Sequence, residues 1–172
     1  MKLLTEIDEK SLDISEIENV LGTTYELRKS ARGIILNDKN EISLQFVGKN
    51  NYYKLPGGGV EVGETIEEAL RREIIEEVGC NIKIEKELGV IIEYRNQLNL
   101  LHISYGFIAR VDGIIGSPSY EQGEIDDGFK PVWISLDEAI ELINPNTPLK
   151  NYEGKFIVKR ENIFLNEAKI LL

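Results

Sequence analysis

The segment GGVEVGETIEEALRREIIEEVGC, residues 58–80, joins a glycine-rich loop to an acidic stretch with helical spacing. Thr65 and Glu68 are placed as a capping box, which is typical of the first turn of a helix. Gly79 stands where a glycine commonly ends a helix. The pattern therefore predicts a helix over residues 65–78, with the glycine loop directly in front of it.

The predicted helix carries some of its glutamates on its apolar side. At 100° per residue, Glu77 lies about 40° from Glu73, and both fall within the apolar arc, with Glu76 beside them. Carboxylates lose hydration on burial, and two like charges close together add to that cost. A divalent cation that prefers oxygen ligands, such as Mg²⁺, would compensate both effects. The alternative, a solvated helix face rich in glutamate, stays open at this point.

The glycine run before the helix favours a close approach of the backbone to a phosphate or a metal ion. Gly57–Gly59 have no Cβ atoms, so the main chain there is accessible. Glu64 is placed to pair with Arg72 and so to hold the loop against the helix, although an exposed pair of this kind contributes little to stability. A glycine run alone is equally consistent with an ordinary loop.

Together these residues form a recognisable signature. The chain resembles the Nudix hydrolase superfamily at every fixed polar and glycine position of the Nudix box, which stands here as Gly58-x5-Glu64-x7-Arg72-Glu73-Ile74-x-Glu76-Glu77-x-Gly79-Cys80. The last position usually holds an aliphatic residue, and Cys80 is a small side chain of the buried type.

The resemblance implies an α/β fold, an α/β/α sandwich with a mixed β-sheet. It also implies hydrolysis of a phosphoanhydride bond in a nucleoside diphosphate linked to another moiety, with Mg²⁺ or Mn²⁺ as cofactor. Glu73 and Glu77 become the first metal ligands, Glu76 a further ligand or the general base, and the backbone of Gly58 a source of a ligand oxygen. The positions with an implied structural role are Gly58, Glu64, Arg72 and Gly79.

The general base varies within the superfamily, between a glutamate of the box and one from a later loop. Residues 112–130 form a long connection rich in glycine and acidic residues, and connections of this length are often functional. Glu124 is the candidate base there. Glu121, Asp126 and Asp127 lie close by, and each of these acids is also consistent with a solvated loop.

The residues that bind the substrate are less well determined. Arg32 is a candidate for phosphate contact, with Arg28, Lys54 and Arg95 as further basic residues, and a solvated charge is the alternative for each. Tyr53 and Tyr94 are candidates for stacking on a base, with core packing as the alternative. The markers for coenzyme A, ADP-ribose and dinucleoside polyphosphates are not visible, which leaves oxidised or ordinary nucleoside triphosphates and nucleotide sugars.

Alternating and helical patterns predict the surrounding elements. Within residues 82–92, one face is expected to carry Ile82, Ile84, Leu88, Val90 and Ile92. Within residues 101–111, the odd-numbered positions are expected to form one apolar face. A sheet interrupted by one central helix and followed by further helices predicts a mixed α/β sandwich. The predicted strands are 31–36 and 41–47 as a hairpin, 52–55, 82–92, 101–111 and 131–134, and the further helices are 14–21, 136–143 and 156–171.

Composition limits the classes of function. The 172 residues carry a formal net charge of −10 and predict a single domain over 1–172, with a short N-terminal extension over 1–24 and a C-terminal helix at about 155–172. The negative charge argues against binding of DNA or RNA phosphates. There is no signal-peptide pattern and no apolar run of membrane length, so a cytoplasmic location without membrane contact is expected.

Three classes of function are compared. The favoured one is an enzyme acting on a small-molecule nucleotide, because Glu73, Glu76 and Glu77 are all present. The rival is a Nudix-fold module that senses a ligand or binds a protein, and such relatives typically lack one of the box acids. Removal of a 5′ pyrophosphate from RNA is a third class, against which the lack of a Lys/Arg run counts. The N-terminal segment and the last helix are candidates for a homodimer interface.

Overall fold

The computed structural model describes residues 1–15, 24–144 and 151–172. Its strands are β1 Leu3–Ile7, β2 Glu26–Leu36, β3 Ile42–Val47, β4 Tyr52–Lys54, β5 Asn81–Arg95, β6 Leu100–Asp112 and β7 Phe129–Ile134. Its helices are α1 Ile66–Val78, α2 Gln122–Asp126, α3 Leu136–Ile143 and α4 Tyr152–Leu171.

The strands form one mixed sheet in the order β1-β5-β6-β2-β3-β4, with β7 also paired to β3. The β1–β5 and β2–β6 pairs are parallel and the others antiparallel. The core of one face includes side chains of α1, and the core of the other includes side chains of α3 and α4. The expected α/β/α sandwich with a mixed sheet is therefore confirmed. None of the helices in the described residues has the length and apolar character needed to cross a bilayer.

Helix α1 begins and ends as the sequence predicts. Thr65 Oγ1 accepts from the Glu68 backbone N–H at 3.2 Å, and the Glu68 carboxylate accepts from the Thr65 N–H at 2.8 Å. Gly79 ends the helix with a φ of 78°, in the left-handed region. A Cβ at Gly79 would lie 2.8 Å from the carbonyl carbon of Ser117, so glycine also lets the connection after β6 cross the end of α1.

The remaining predicted elements are largely observed. The hairpin of β2 and β3 is confirmed by the antiparallel pairing of Leu36 with Ile42. Helix α4 begins four residues earlier than residue 156, because the Asn151 side chain caps it by accepting from the Glu153 N–H at 3.0 Å. Residues 16–23, where most of the predicted N-terminal helix falls, lie outside the described residues.

The prediction for β5 needs a correction. Ile82 and Ile84 pack in the core beside α1, whereas Leu88 packs in the core beside α4. Two irregularities in the pairing with β6 separate these residues, and a bulge inserts an extra residue that turns the following side chains to the other face. The second irregularity restores the alternation, because Val90 and Ile92 pair with odd-numbered residues of β6, as Ile82 and Ile84 do. Of the five residues predicted for one face, Leu88 alone therefore leaves it.

The small, polar face of β6 is buried beneath α4. A Cβ at Gly106 would overlap the ring of Phe164, so only a glycine allows the helix to pack this closely. Glu93 accepts from Arg95 at 2.6 Å and from Arg160 at 3.3 Å, and all three side chains are buried. His102 completes the cluster, with Nδ1 at 3.1 Å from Glu93.

This buried cluster makes stability depend on pH. Burial lowers the pKa of His102 to about 4, while an unfolded histidine titrates near 6.5. The unfolded chain therefore takes up a proton that the folded chain does not, and stability falls as the pH drops below about 6.5. We expect this residue alone to lower the free energy of unfolding by about 2 kcal/mol between pH 7 and pH 5.

Urea denaturation of the wild type and of His102→Gln at pH 7, 6 and 5 measures this contribution. The variant loses the bond between His102 Nε2 and Ser30 Oγ, 2.9 Å long, and is expected to be less stable at pH 7. Its stability should nevertheless vary less with pH than that of the wild type. Equal pH dependence in the two proteins would contradict the assignment to His102.

Candidate active site

A cleft of about 430 Å³ opens between the glycine loop, α1 and the connection that carries α2. Its walls bring together side chains that are far apart in the sequence. The acidic residues that line it are Glu61, Glu73, Glu76, Glu77, Glu121 and Glu124. The basic residues that line it are Arg28, Arg32, Lys54 and Arg72.

Glu77 is the most deeply buried of these acids, with 1% of its side chain exposed. The backbone N–H of Gly57 donates to one carboxylate oxygen at 2.6 Å, and Lys54 Nζ donates to the other at 3.0 Å. Gln45 of β3 donates to the Glu77 backbone carbonyl at 2.8 Å. Both ends of the residue are therefore fixed, and the glycine loop is tied to α1 through its carboxylate.

Arg72 holds the other two box glutamates. It donates to both Glu64 oxygens, at 2.9 and 3.1 Å, which forms the predicted pair between loop and helix. The same guanidinium donates to Glu73 at 2.9 Å, to Glu76 at 3.1 Å and to the Gly59 carbonyl at 2.9 Å. The bonds to Glu64 raise the pKa of Arg72 above its usual value, so it stays charged.

Gly58 lies directly against Glu73. A Cβ at this position would overlap the Glu73 carboxylate, so the missing side chain is what gives that carboxylate its space. Burial, followed by the charge on Glu77, raises the pKa of Glu73. The two carboxylates therefore lie close enough for their negative charges to oppose each other.

These residues fit a divalent metal ion by the chemistry of their donors. Carboxylate oxygens next to an open glycine backbone are the hard ligands that Mg²⁺ and Mn²⁺ take. Within the described ranges, however, no three acidic, histidine or cysteine side chains already converge on one point. Arg72 and Lys54 hold the carboxylates instead.

The connection after β6 carries Glu124 into the cleft. Gly116 N donates to the Gly79 carbonyl at 2.8 Å and Ser119 N to the Glu76 carbonyl at 2.7 Å, so the connection follows the end of α1. Helix α2 then begins with a capping box of Glu121 and Glu124. Burial, opposed by a backbone bond from Glu121 and assisted by the charge on Glu77, raises the pKa of Glu124 to about 7.

Two other acids of the connection, Asp126 and Asp127, lie outside the lining of the cleft. Asp127 pairs with Lys49 at 2.6 Å, and Asp126 accepts from Gln122 at 2.9 Å. Neither is among the residues that line the cleft. The alternative of an acid on a solvated surface therefore suits these two residues better than it suits Glu124.

Arg32 reaches the cleft from β2 as a buried cation. Its nearest carboxylate is that of Glu161 on α4, at 3.9 Å, and its Nε has no hydrogen-bond partner among the described residues. Burial, followed by the charge of Arg160, lowers the pKa of Arg32 to about 10, so the guanidinium is still charged at neutral pH. A buried guanidinium with an unused N–H donor and no carboxylate at hydrogen-bond distance is suited to bind an anion.

The two predicted tyrosines are not among the residues that line the cleft, and their contacts favour the alternative, structural packing, over stacking on a base. Tyr53 packs on Phe46, with ring centroids 5.1 Å apart, and contributes to the core beside α4. Tyr94 packs edge-on against Tyr25, and its hydroxyl donates to Glu6 at 3.3 Å. Both follow the alternative of structural packing.

One aromatic side chain of the cleft was missed from the sequence. Phe129 is the first residue of β7, and the centroid of its ring lies 4.5 Å from Lys54 Nζ. Its one cue in the sequence is its place near the end of the acidic connection 112–130, and this does not distinguish it from a core residue. Arg95, a basic candidate, is bound to Glu93 in the buried cluster instead.

Comparison with known proteins agrees with this geometry. The model of the NUDIX domain matches residues 26–157 of the chain. The putative 8-oxo-dGTP diphosphatase of Bacillus subtilis is 28% identical over 138 residues, which cover 80% of this chain and 87% of that protein. Nudix hydrolase 21, chloroplastic, of Arabidopsis thaliana is 36% identical over 101 residues, which cover 59% of this chain. The match spans only about half, 48%, of that relative.

The solved structure of a NUDIX hydrolase from Nitrosomonas europaea has the same fold. Its TM-score is 0.58 at 18% sequence identity, and the match covers 79% of this chain and 92% of that one. Nudix hydrolases generally need a divalent metal ion and act on small nucleotide substrates. Because the domain match covers most of the sequence and includes the whole of the cleft's glycine loop and acidic helix, the chain belongs to the NUDIX family of hydrolases.

Proposed function

We propose that this chain hydrolyses a phosphoanhydride bond of a small nucleotide, a nucleoside diphosphate linked to another moiety, with Mg²⁺ or Mn²⁺ as cofactor. The observation that carries the proposal is that Glu73, Glu76 and Glu77 line one cleft together with the glycine loop. Arg32 and Lys54 line the same cleft. Acids for a metal and cations for phosphates are then within one site.

Glu73, Glu76, Glu77 and the backbone of Gly58 would hold the metal. When bound, such an ion supplies a Lewis acid that neutralises charge on phosphate oxygens and activates the attacking water. The chain's own contribution is positioning, since phosphoryl transfer depends mainly on orientation and on stabilisation of charge. Arg72 orients Glu73 and Glu76, and the Gly57 N–H orients Glu77.

Glu124 is our candidate for the general base. It lines the wall of the cleft that α2 forms, and it is not bound by Arg72 as Glu76 is. A base must lie within reach of the proton that it removes, and a side chain on a separate element can face the substrate from its own side. Glu76 is the alternative base within the box.

Arg32 is proposed to bind a phosphate of the substrate. Its buried Nε, which has no hydrogen-bond partner among the described residues, supports this assignment. A shallow extension of about 390 Å³ adjoins the cleft at Arg28, Gly59 and Val60. Leu27 and Leu98 line it with apolar surface, which suits the base or the other moiety of the substrate. The proposed substrate classes are nucleoside triphosphates, oxidised or ordinary, and nucleotide sugars. The oxidised triphosphates agree with the name of the Bacillus relative.

The rival functions have less support. A ligand-sensing module does not require the complete set of Glu73, Glu76 and Glu77 beside the glycine loop. An RNA substrate would need a basic surface, which a chain of net charge −10 does not favour. The cytoplasmic location, the single domain over 1–172 and the homodimer stay predictions.

The test is phosphate release, with a coupled phosphatase, from a panel of nucleoside triphosphates, nucleotide sugars, ADP-ribose, dinucleoside polyphosphates and 5′-triphosphorylated RNA. We expect turnover of one class of small nucleotide that requires Mg²⁺ or Mn²⁺. Preferred turnover of the RNA would contradict the small-molecule assignment. No turnover of any substrate by folded protein with metal present would favour the binding module.

A further inference from the structure

Lys54 is one of the cations that line the cleft, but its ammonium is bound to Glu77, a proposed metal ligand. It is the last residue of β4, and 14% of its side chain is exposed. Its ammonium lies 3.0 Å from Glu77 Oε1 and 4.5 Å from the centroid of the Phe129 ring. The charge is therefore held between a carboxylate proposed to bind metal and the face of an aromatic ring, an arrangement that stabilises a cation.

We propose that Lys54 and the divalent ion compete for Glu77, and that Lys54, once released from Glu77, binds a phosphate oxygen of the substrate. This inference rests on the proposed function for the identity of the phosphate, but its first half concerns metal binding alone. Lys54 then serves the site in two states, as a counter-charge before the metal is present and as a phosphate ligand afterwards.

The two partners of Glu77 differ in their freedom to move. The Gly57 N–H is part of the loop backbone. The carbonyls on either side of Gly57, those of Pro56 and Gly58, accept from β2 at 3.0 Å, so this N–H cannot leave without a change in the loop. The lysine side chain has four rotatable bonds and its ammonium can move by a change of rotamer. Lys54 is thus the partner of Glu77 that yields to a metal ion.

The surroundings indicate where the released ammonium goes. The ammonium lies over the Phe129 ring, which also lines the cleft, and little of the lysine side chain is exposed. Arg32 lines the same cleft, so an anionic phosphate that Arg32 receives lies in a region that Lys54 shares. Glu124, which lines the same cleft, is the competing destination, and the two destinations predict different effects on phosphate affinity.

The inference predicts opposite effects on the two ligands. Removing the charge of Lys54 should tighten Mn²⁺ binding about tenfold, because a cation that opposes a divalent ion a few ångströms away is lost. The same change should weaken binding of inorganic pyrophosphate by about tenfold, since one charge-assisted bond to phosphate is lost. A lysine with a merely structural role would weaken both ligands together.

The experiment uses Lys54→Met, which keeps the length of the side chain and can still pack on Phe129 through its thioether. Mn²⁺ affinity is measured without nucleotide, from the electron paramagnetic resonance signal of unbound Mn²⁺. Pyrophosphate affinity is then measured by titration calorimetry on the Mn²⁺-saturated protein. Circular dichroism verifies the fold, and Lys54→Gln replaces the methionine variant if that one does not fold.

Two control variants separate charge from position. Lys54→Arg keeps the charge and should bind Mn²⁺ with an affinity close to that of the wild type. Lys49→Met removes a lysine charge from the neighbouring exposed turn, where Lys49 pairs with Asp127 at 2.6 Å, and should change neither affinity.

Unchanged or weaker Mn²⁺ binding by Lys54→Met, or equal tightening by Lys49→Met, would overturn the competition. Unchanged pyrophosphate affinity, or no pyrophosphate binding by the wild type, would overturn the phosphate contact and favour Glu124 as the destination. If both affinities shift as expected while the substrate panel shows no turnover, the inference stands and the proposed hydrolysis fails.

Discussion

Replacement of Glu77 by Gln is expected to lower metal-dependent turnover by about a thousandfold or more while the protein stays folded. The buried carboxylate faces two donors, the Gly57 N–H and Lys54 Nζ. An amide offers only one acceptor oxygen, so one donor would face the amide NH₂ group instead. We expect this mismatch to cost about 1–2 kcal/mol of unfolding free energy. The loss of a negative charge from the metal site accounts for the much larger effect on turnover.

Turnover and thermal unfolding are compared between Glu77→Gln and the matched control Glu67→Gln. Glu67 lies on the same helix with its side chain exposed and away from the cleft, so the control makes the same chemical change at a different place. It should retain nearly all activity. Turnover of Glu77→Gln within tenfold of the wild type would show that this carboxylate is not needed for the reaction.

The elements around α1 could be predicted because their signals are local. A capping box at Thr65, a glycine at 79 and the fixed spacing of the box glutamates all lie within one short segment. The Glu64–Arg72 pair also follows from spacing on a single loop and helix. The order of the strands and helices predicted a mixed-sheet α/β sandwich, and the family resemblance supplied its α/β/α layers.

The parts that could not be predicted depend on contacts between distant residues. Arg160 and Glu93 are 67 positions apart in the sequence, and the polar face of β6 gives no indication that they meet beneath α4. Two irregularities in β5 turn Leu88 away from the face that Ile82 and Ile84 share, without a clear sequence signal. Tyr53 and Phe129 are both half-buried aromatics near the loop, and only the folded chain shows that Phe129 lines the cleft.

The substitution Gly58→Ala is also expected to lower turnover strongly, because it changes the position of the Glu73 carboxylate. The φ angle of Gly58 is outside the left-handed region, so alanine can adopt this backbone. The added methyl group would overlap the Glu73 carboxylate, which must turn away from its bond to Arg72. We expect turnover to fall by about a hundredfold, since a displacement of about 1 Å in a catalytic group has effects of that size. Because the displaced group is the end of a flexible side chain, stability should change by less than about 1 kcal/mol.

The neighbouring glycines make this prediction specific. At Gly59 a Cβ would meet only Arg28 Nη2 at 3.8 Å, an ordinary contact, so Gly59→Ala should lose far less activity. At Gly57 a Cβ would overlap the Ala31 carbonyl and φ is 123°, so Gly57→Ala should lose stability as well as activity. Measuring turnover and melting temperature for all three separates the cases. Equal loss of activity at Gly58 and Gly59 would indicate that the loop needs general flexibility, whereas loss at Gly58 without loss of stability would assign the effect to the position of the Glu73 carboxylate.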